Sequence, residues 1–494
     1  MSSFLPALPS VRRWLVAVGW LLVTAGTARP SPSGLAHAHR HGGYFVSATA
    51  AAGGTGSESQ PWTLDAALAG GMGRLQPGDT VWLRGGTYRG EFRTQLAGAP
   101  GRWIVFRGLP GERATIDGTL RADGAYLTFW GFEIMQSTPG TYGLQANTAN
   151  GRFINLVIHD AGTQGVSFWT PAVDAELYGC IVYNNGTHEN LDHGVYVHNE
   201  TGTKLIADNV FFNNLARGIQ VYASRNNPVI RNIRVEGNVA FNNGTISAVA
   251  AARENLIFNA PVPTEGMSGI GNLLYFSGRE GINLRVGKYA PQNNRDIVLR
   301  DNYAAGGKIG LEMIEPWARA TVENNEFIES RDLVKVGGSD LAQRYQWSHN
   351  RWGRDPTARA WQYEGRAYDW TGWRQATGLG GTDQTTAQRP SVTKVFVRPN
   401  TYEPGRATVV VYNWGGEADV AVDVSGVLQD GDAYEVHNVQ ALFGPAVVSG
   451  TYRGGAIRIP MAGTEPPAPL GRITRTPPRT GPAFDVFLLT RASS

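Results

Sequence analysis

The chain has 494 residues, enough for two or three domains of ordinary size. It contains 63 Gly, 27 Pro and a single Cys, and only 17% of its residues are charged. This composition excludes a leucine-rich helical bundle, a charged disordered tail and a disulfide framework.

The first 28 residues have the pattern of an export signal. Arg12 and Arg13 precede an apolar run at 14–23, and small residues follow at 25–28. Ten apolar residues are short for a membrane span, so we predict cleavage after Ala28 rather than an uncleaved anchor helix. The mature protein would then be secreted or periplasmic, by either the Sec or the Tat route, and residues 29–43 would form a linker.

Cleavage would also remove two arginines and no acid. The formal net charge then falls from +3 to +1, with 42 basic against 41 acidic residues. A charge this close to zero gives no reason to expect nucleic acid or a membrane as a partner. Any preference for an anionic ligand must therefore come from a local cluster of side chains.

Two short elements are expected at the front of the folded chain. Residues 61–68 predict a helix that begins near Thr63, because threonine is a favoured N-cap. Residues 78–88 predict a strand followed by a turn. Together they are typical of the cap that a solenoid needs over its first coil.

A repeated unit occupies the centre of the chain. Of the 29 asparagines, 26 lie between Asn147 and Asn350. The unit is an Asn, Gly or Cys followed by a short apolar run, and its copies start at residues 131, 155, 180, 209, 238, 272, 302 and 325. Steps of 23 to 34 residues without helical patterns predict an all-β fold, a right-handed parallel β-helix. A β-sandwich with Asn-rich loops is the alternative.

Asparagine suits this unit because it tolerates left-handed backbone at tight turns and can form hydrogen-bonded ladders between stacked coils. Cys180 stands at the start of one copy, within an apolar run. We therefore predict that it is a buried small residue rather than a reactive thiol.

The opening segment also carries a family resemblance. Tyr44-Phe-Val-Ser, Pro61-Trp and the run from Pro77 to Gly90 resemble the start of secreted right-handed β-helix proteins, a superfamily that includes alginate lyases and chondroitinase-B-like lyases. The resemblance extends over residues 44–350. It implies the fold and a polysaccharide ligand, whereas the same scaffold carries lyases, hydrolases, epimerases and binding proteins.

The pattern changes after residue 350. Residues 351–390 are rich in Trp and Arg, include the segment 369–378, and are predicted to be a rear cap and linker. Residues 391–494 alternate strands with turns, which predicts a β-sandwich with an extended Pro-rich loop at 460–482. Both a packing role and a carbohydrate-binding role remain open for this domain.

A second strand follows each Asn turn and can be aligned by its glycine, at 165, 194, 218, 281 and 310. Because strand side chains alternate, this alignment places Val195 and Val197 inside and Tyr196 outside. The coil between Tyr222 and Arg285 has only small residues at this level, 247–252, which predicts the floor of a groove. A merely polar outer surface is the alternative.

The predicted face gathers histidine, tyrosine, arginine and lysine, a mixture unusual for an ordinary sheet surface. Arginine and aromatic side chains suit carboxylate and sugar contacts. The catalytic candidates are His193, Tyr196, His198, Arg217, Arg285 and Lys308. The substrate-binding candidates are Asp192, Trp169, Gln220, Tyr222, Glu280, Asn283 and Glu312.

Two chemistries compete for this face. β-Elimination on a uronate polymer needs cations to neutralise the carboxylate beside the acidic proton, and a base and an acid of suitable pKa. Arg217, Arg285 and Lys308 are candidates for the first role, and the histidines with Tyr196 for the second. Asp192 would orient a histidine.

A glycosidase instead needs two carboxyl groups placed across the scissile bond, for which Asp192, Glu280 and Glu312 are available. The same acids with Asn283 could bind Ca²⁺ by oxygen ligation, although no loop has dedicated calcium spacing. A non-catalytic glycan-binding solenoid is the third hypothesis. We favour a monomeric lyase that acts on an anionic polysaccharide. The sequence identifies no definite cofactor, and Ca²⁺ is the one candidate.

Overall fold

The computed structural model describes residues 42–249, 253–289 and 291–492. The predicted export signal at 1–28 and the linker up to residue 41 lie outside this part of the chain. Within these ranges, no helix is long and apolar enough to cross a membrane.

Stacked parallel strands build the larger part of the molecule, confirming the predicted parallel β-helix. Each coil adds one strand to each of three faces, which we call sheets 1, 2 and 3, and neighbouring coils pair in parallel. Sheet 1 has twelve strands: Tyr44–Val46, Thr80–Leu83, Ile104–Gly108, Leu127–Trp130, Arg152–Ile154, Ala175–Tyr178, Lys204–Ala207, Ile233–Glu236, Met267–Ile270, Asp296–Arg300, Arg319–Glu323 and Tyr345–Ser348.

Sheets 2 and 3 share two long strands that bend from one face to the next, Gly86–Thr94 and Ala114–Ala122. Sheet 2 continues with Glu133–Met135, Val157–His159, Ile181–Tyr183, Val210–Phe212, Val239–Phe241, Leu273–Phe276, Tyr303–Gly306, Glu326–Ile328, Arg351–Gly353 and Gln384–Thr386. Sheet 3 continues with Leu144–Ala146, Val166–Phe168, Val195–Val197, Ile219–Val221, Glu254–Phe258, Ile282–Val286, Ile309–Met313, Asp332–Val336, Trp361–Tyr363 and Arg366–Tyr368.

Short helices close both ends of this stack. Helix Leu64–Leu68 begins at Thr63, whose hydroxyl accepts a hydrogen bond from the Ala66 N–H at 3.2 Å. Helix Trp370–Thr377 begins at Asp369 and ends at Gly378, whose φ of 69° is left-handed. Smaller elements are helix Leu341–Arg344, the 3-10 turns Pro291–Asn293 and Val439–Ala441, and the strand pair Ile230–Arg231 with Thr264–Glu265.

Two ladders of buried asparagines fix the turns on either side of sheet 2. In each ladder the side-chain amide of one Asn donates to the side-chain oxygen of the next, at 2.8–3.1 Å. The first ladder contains Asn209, Asn238, Asn272, Asn302, Asn325 and Asn350. The second contains Asn185, Asn214, Asn243, Asn255 and Asn283.

The ladders correct the predicted register in two places. Asn155 was predicted to start a copy of the repeat at the same level as Cys180. It has a φ of 52° and lies one residue earlier, at a left-handed turn, and Leu156 is the residue level with Cys180 on the neighbouring coil. Cys180 is fully buried, and its N–H donates to the Asn209 side chain at 2.9 Å. Asn283 was predicted to face outward; it is buried in the second ladder, because Asn283 rather than Gly281 is equivalent to Gly218.

The C-terminal residues form antiparallel sheets, as predicted. The larger sheet has the strand order Lys394–Pro399, Arg406–Tyr412, Phe484–Arg491, Ala433–Asn438 and Val448–Thr451. The smaller sheet pairs Asp419–Asp423 with Ala456–Pro460. A separate apolar cluster fills the space between them.

The C-terminal sheet packs on the outer face of sheet 2. A column of aromatic rings runs along that face, with centroids of His159, Tyr183, Phe212 and Phe241 4.7 to 4.9 Å apart. Phe484 packs against this column at Phe241 and Tyr275. Sheet 2 is therefore largely covered by the C-terminal sheet.

Candidate active site

One row of outward positions on sheet 3 defines the candidate cleft. The strand pairing places these residues on successive coils: Tyr196, Gln220, Ile257, Arg285, Glu312 and Lys335. Five coil steps of ~4.8 Å make the row about 24 Å long. Ile257 occupies the level between Gln220 and Arg285, for which small residues were predicted, and residues 250–252 of that prediction lie outside the described part of the chain.

Aromatic side chains cover one end of the row, which we call the aromatic end. The Trp169 and Tyr196 rings meet edge to face with centroids 4.8 Å apart, and Tyr222 lies 5.9 Å beyond Tyr196. All three are partly exposed. Burial, followed by the influence of Tyr222, raises the pKa of Tyr196, so its phenol stays protonated and can donate a hydrogen bond.

The histidines beside this end are buried rather than open to the cleft. His193 is 1% exposed, and its Nδ1 accepts a hydrogen bond from the Arg217 backbone N–H at 3.3 Å. Burial, then the positive charge of Arg217, holds the His193 pKa well below its usual value. His198 is also buried, with Nε2 3.4 Å from the Val229 carbonyl oxygen, and burial lowers its pKa.

Asp192 does not orient either of the predicted histidines. Its carboxylate accepts hydrogen bonds from the backbone N–H groups of Thr187 and His188, at 2.8 and 2.6 Å, and lies 3.1 Å from the His188 ring. It therefore fixes the loop 186–192 at the edge of the cleft.

Ion pairs join the middle of the row into a chain. Arg217 bonds to Glu254 at 2.9 Å and to the Gln220 side-chain oxygen at 2.7 Å. Arg285 bridges Glu254, at 2.6 Å, and Glu312. Lys335 lies 3.5 Å from the second oxygen of Glu312. The carboxylates of Glu254 and Glu312 are thus neutralised and held in place by the neighbouring cations.

Beside this chain lies an open cavity of about 590 Å³, which we call the cation cavity. Its charged lining residues are Arg253, Arg279, Arg285, Lys308, Arg331, Glu254 and Glu280. Five of these groups are positive and two are negative, and one of the five, Arg331, is paired with Asp332 at 2.9 Å, so the cavity carries a local excess of positive charge. The cavity is therefore a local cluster of positive side chains, which the near-neutral total charge of the chain does not reveal.

Arg253 is the cavity residue whose hydrogen-bonding capacity is least satisfied. Its side chain is 7% exposed and contacts Glu280 through Nη1. Its Nε and Nη2 have no hydrogen-bond partner among the described residues. Lys308 is exposed at the cavity and forms no ion pair with any residue that the structure describes. Lys308 is therefore available to an anion, whereas the unpartnered Nε and Nη2 atoms of Arg253 are buried.

The structure brings together only part of the predicted site. Arg285, Lys308 and Glu280 share the cation cavity, and Arg217, Gln220 and Glu312 belong to the adjoining ion-pair chain. Trp169, Tyr196 and Tyr222 lie at the aromatic end. His193, His198 and Asp192 support the surrounding backbone.

Sequence reasoning missed Arg253, Glu254, Arg331 and Lys335. The signal that could have identified them is the match between Asn255-Leu-Ile-Phe and Asn283-Leu-Arg-Val. It aligns these two strands by their Asn residues, whereas the prediction aligned the strands by their Gly residues. That alignment would have placed Glu254 at the start of a cleft strand and Arg253 directly before it.

A calcium site does not form from the predicted ligands. Glu280 contacts Arg253, Glu312 binds Arg285 and Lys335, and the Asn283 amide is committed to its ladder. Within the described ranges, no group of three or more His, Cys, Asp and Glu residues is placed to hold a metal ion.

Two family models match the chain. Residues 44–255 match a family described as "Pel9A-like, right handed beta helix region". Residues 175–368 match one described as "Periplasmic copper-binding protein (NosD)". No curated protein matches the chain.

Several solved structures are similar in fold. A pectate lyase, Pel9A, has a TM-score of 0.51 and 16% identity, over 62% of this chain and 78% of that one. A rhamnogalacturonan lyase has a TM-score of 0.47 and 15% identity, over 63% and 87%. XylC in complex with xylose has a TM-score of 0.46 and 9% identity, over 89% and 100%. The match to Pel9A supports the right-handed β-helix as a fold.

Proposed function

We propose that the chain is an exported polysaccharide-active enzyme, a lyase that cleaves a uronate-containing polysaccharide by β-elimination on the outer face of sheet 3. The observation that carries this proposal is the cation cavity, with its excess of positive charge and the unsatisfied guanidinium of Arg253. A cavity of this kind suits a ligand with carboxylate groups and an extended shape that follows the row of coils.

The first requirement of β-elimination is a stable carbanion-like transition state. Negative charge spreads from the carbon that loses its proton onto the adjoining carboxylate, so fixed positive groups around that carboxylate lower the barrier. Arg253, Arg279 and Arg331 line the cavity at which this carboxylate would bind. Arg285 is held between Glu254 and Glu312 and supports the cavity wall.

Lys308 is the proposed base because it is exposed in the cavity and free of an ion pair with the described residues. In its neutral form, its amine takes the proton from the carbon beside the carboxylate. The electron pair of that C–H bond forms the new double bond, and the glycosidic C–O bond breaks. The resulting ammonium returns the same proton to the leaving oxygen, so the step balances without a co-reactant.

The aromatic end has a binding role in this proposal. Trp169, Tyr196 and Tyr222 provide partly exposed rings that can pack on sugar faces. Gln220 is the member of the ion-pair chain on the coil next to Tyr196. His193 positions Arg217 through its backbone rather than moving a proton. This division replaces the expectation that the histidines are the base and the acid.

The test is a screen of purified protein against anionic and neutral polysaccharides with two readouts. Ultraviolet absorbance detects the unsaturated uronate that a lyase leaves, and a second assay counts new reducing ends. The proposal expects both signals, and only with uronate polymers. Reducing ends without the absorbance would indicate a hydrolase, and binding without either signal would indicate a glycan-binding solenoid.

A further inference from the structure

The Pro-rich segment of the C-terminal part returns to the β-helix. We call residues 462–482 the strap, which has neither helix nor strand. Its backbone oxygens accept hydrogen bonds from the turn residues Asn184, to Pro467 at 2.9 Å, and Asn242, to Pro478 at 3.5 Å. The strap therefore lies over the turns that connect sheet 2 to sheet 3, along the border of the cleft.

A buried polar contact anchors the first half of the strap. The Leu470 N–H donates to Asp160 at 2.7 Å, and the Arg472 guanidinium lies 3.6 Å from the same carboxylate. The Arg472 side chain is 8% exposed and also donates to the carbonyl oxygens of Ala161 and Gly186. Because Gly186 begins the loop 186–192, this anchor ties the strap to the edge of the cleft.

The second half of the strap joins a wall made of two loops. Glu189 accepts hydrogen bonds from the N–H groups of Ala248 and Val249, at 3.2 and 3.0 Å, and from the Ser247 hydroxyl. Arg475 adds the strap to this wall. Its backbone N–H donates to the Ile246 carbonyl at 2.9 Å and its Nη2 to the Ala248 carbonyl at 3.1 Å.

Arg475 also brings a positive charge close to the cation cavity. It is exposed, and it is bonded to Ala248, which stands five residues before Arg253 in the sequence. Burial, then the charge of Arg475, lowers the pKa of the Arg253 guanidinium. Glu189 of the same wall acts on Arg253 in the opposite direction and raises its pKa.

We propose that the strap is a wall of the polysaccharide cleft and that Arg475 is a specificity-determining residue, which holds an anionic group of the polymer next to the one bound in the cation cavity. The inference rests on the proposed function for its substrate class. It assigns the C-terminal part a direct role at the cleft, beyond packing on sheet 2. An exposed charge at the rim of a site acts mainly on the binding of charged chains and in a salt-dependent manner.

The strap provides a matched control for this proposal. Arg479 is also exposed on the strap, but it pairs with Glu465 at 3.0 Å instead of contacting the cleft wall. Binding of polygalacturonate, alginate and hyaluronan, with dextran as the neutral probe, is measured for the full chain and for Arg475→Gln, Arg475→Lys and Arg479→Gln. Thermal midpoints of all variants verify that the fold is intact.

We expect Arg475→Gln to weaken binding of the preferred anionic polymer roughly three- to tenfold, with a shallower salt dependence. In turnover, KM should rise and kcat should stay unchanged. Arg475→Lys should retain binding, because it keeps the charge. Equal binding by Arg475→Gln and Arg479→Gln would overturn the inference, as would loss of binding in Arg475→Lys to the same extent as in Arg475→Gln.

The same experiment separates the two proposals. A wild-type protein that binds an anionic polymer without forming unsaturated product contradicts the lyase, while the comparison of Arg475 with Arg479 still decides the role of the strap. A wild-type protein that binds none of the anionic polymers contradicts both.

Discussion

The side-chain amide of Asn214 makes four hydrogen bonds inside the protein. It donates to the Val182 carbonyl at 3.1 Å and to Asn243 at 2.9 Å, and its oxygen accepts from the backbone and side chain of Asn185 at 3.2 and 2.9 Å. The abundance of Asn predicted such ladders. The abundance of Asn did not distinguish the buried ladder residues from outward-facing ones. Asn283 was predicted to face outward because it follows Gly281, which resembles the glycine that starts the other copies of the strand.

We expect Asn214→Ala to lower the free energy of unfolding by about 3 kcal/mol, because the substitution leaves buried polar groups of Asn185 and Val182 without partners. Denaturant unfolding measures this change. Exposed Asn190→Ala is the control and should change the free energy by less than about 0.5 kcal/mol. Equal effects of the two substitutions would show that the ladder adds little stability.

At the scale of single elements, the strands of sheet 3 show where prediction failed. The copies at 194 and 218 were placed in their observed register because each begins with Gly after an Asn turn. The copy at 282–286 was misplaced by two residues, since the true match is Asn255 with Asn283. A shift of two keeps the inward and outward parity, so Arg285 still faces outward although its neighbours change.

The strap could not be placed from sequence for a physical reason. A Pro-rich segment has no hydrophobic period that identifies the surface it will contact, and its position depends on Asp160 and Arg472, which lie about 300 residues apart. The network that anchors it also includes His159, whose two ring nitrogens lie 2.7 Å from Glu133 and Asp160.

This network predicts a stability that depends on pH in two directions. Burial alone would raise the Glu133 pKa, but hydrogen bonds from His159, Arg113 and Thr115 lower it to about 2 from the usual 4.5. Burial alone would lower the His159 pKa, but Asp160 and Glu133 raise it above the usual 6.5. The Glu133 contribution is lost as the pH falls from 4.5 towards 2, and the His159 contribution is lost as the pH rises through its raised pKa.

Thermal unfolding across pH measures this behaviour, with His159→Gln as the test. We expect the variant to be less stable by about 1–3 kcal/mol near pH 5–6. The difference from wild type should shrink as the pH rises above about 6.5, because the wild-type imidazolium then loses its proton. A constant difference over that range would show that the ring is not held in its charged form.

For the whole molecule, the contact between the C-terminal sheet and sheet 2 decides whether the chain unfolds in one step. Phe484 is fully buried and stacks on Tyr275 with ring centroids 4.3 Å apart. Both the β-helix and the C-terminal strands were predicted from their periods. The face of the β-helix on which the C-terminal sheet packs was not predicted. Outward-facing aromatic residues on a strand could equally bind a ligand, so the sequence does not show that they are covered.

We expect Phe484→Ala to lower the free energy of unfolding by about 3–5 kcal/mol, because it leaves a cavity between the two parts. Calorimetry should show a single transition for the wild-type protein. Phe443→Ala is a suitable control, since Phe443 is 43% exposed, and it should cost about 1 kcal/mol or less. Two separate transitions in the wild-type protein, or equal effects of both substitutions, would contradict a shared core.

The central claim, catalysis in the cation cavity, depends on Lys308. The most direct measurement is the rate of unsaturated-product formation by Lys308→Ala on the best uronate polymer, compared with wild type and with Lys288→Ala, a lysine that does not line the cavity. We predict that Lys308→Ala lowers kcat by roughly 10²–10⁴-fold while polymer binding is retained, and that Lys288→Ala is unchanged. A Lys308→Ala variant that forms unsaturated product at the wild-type rate would contradict the account.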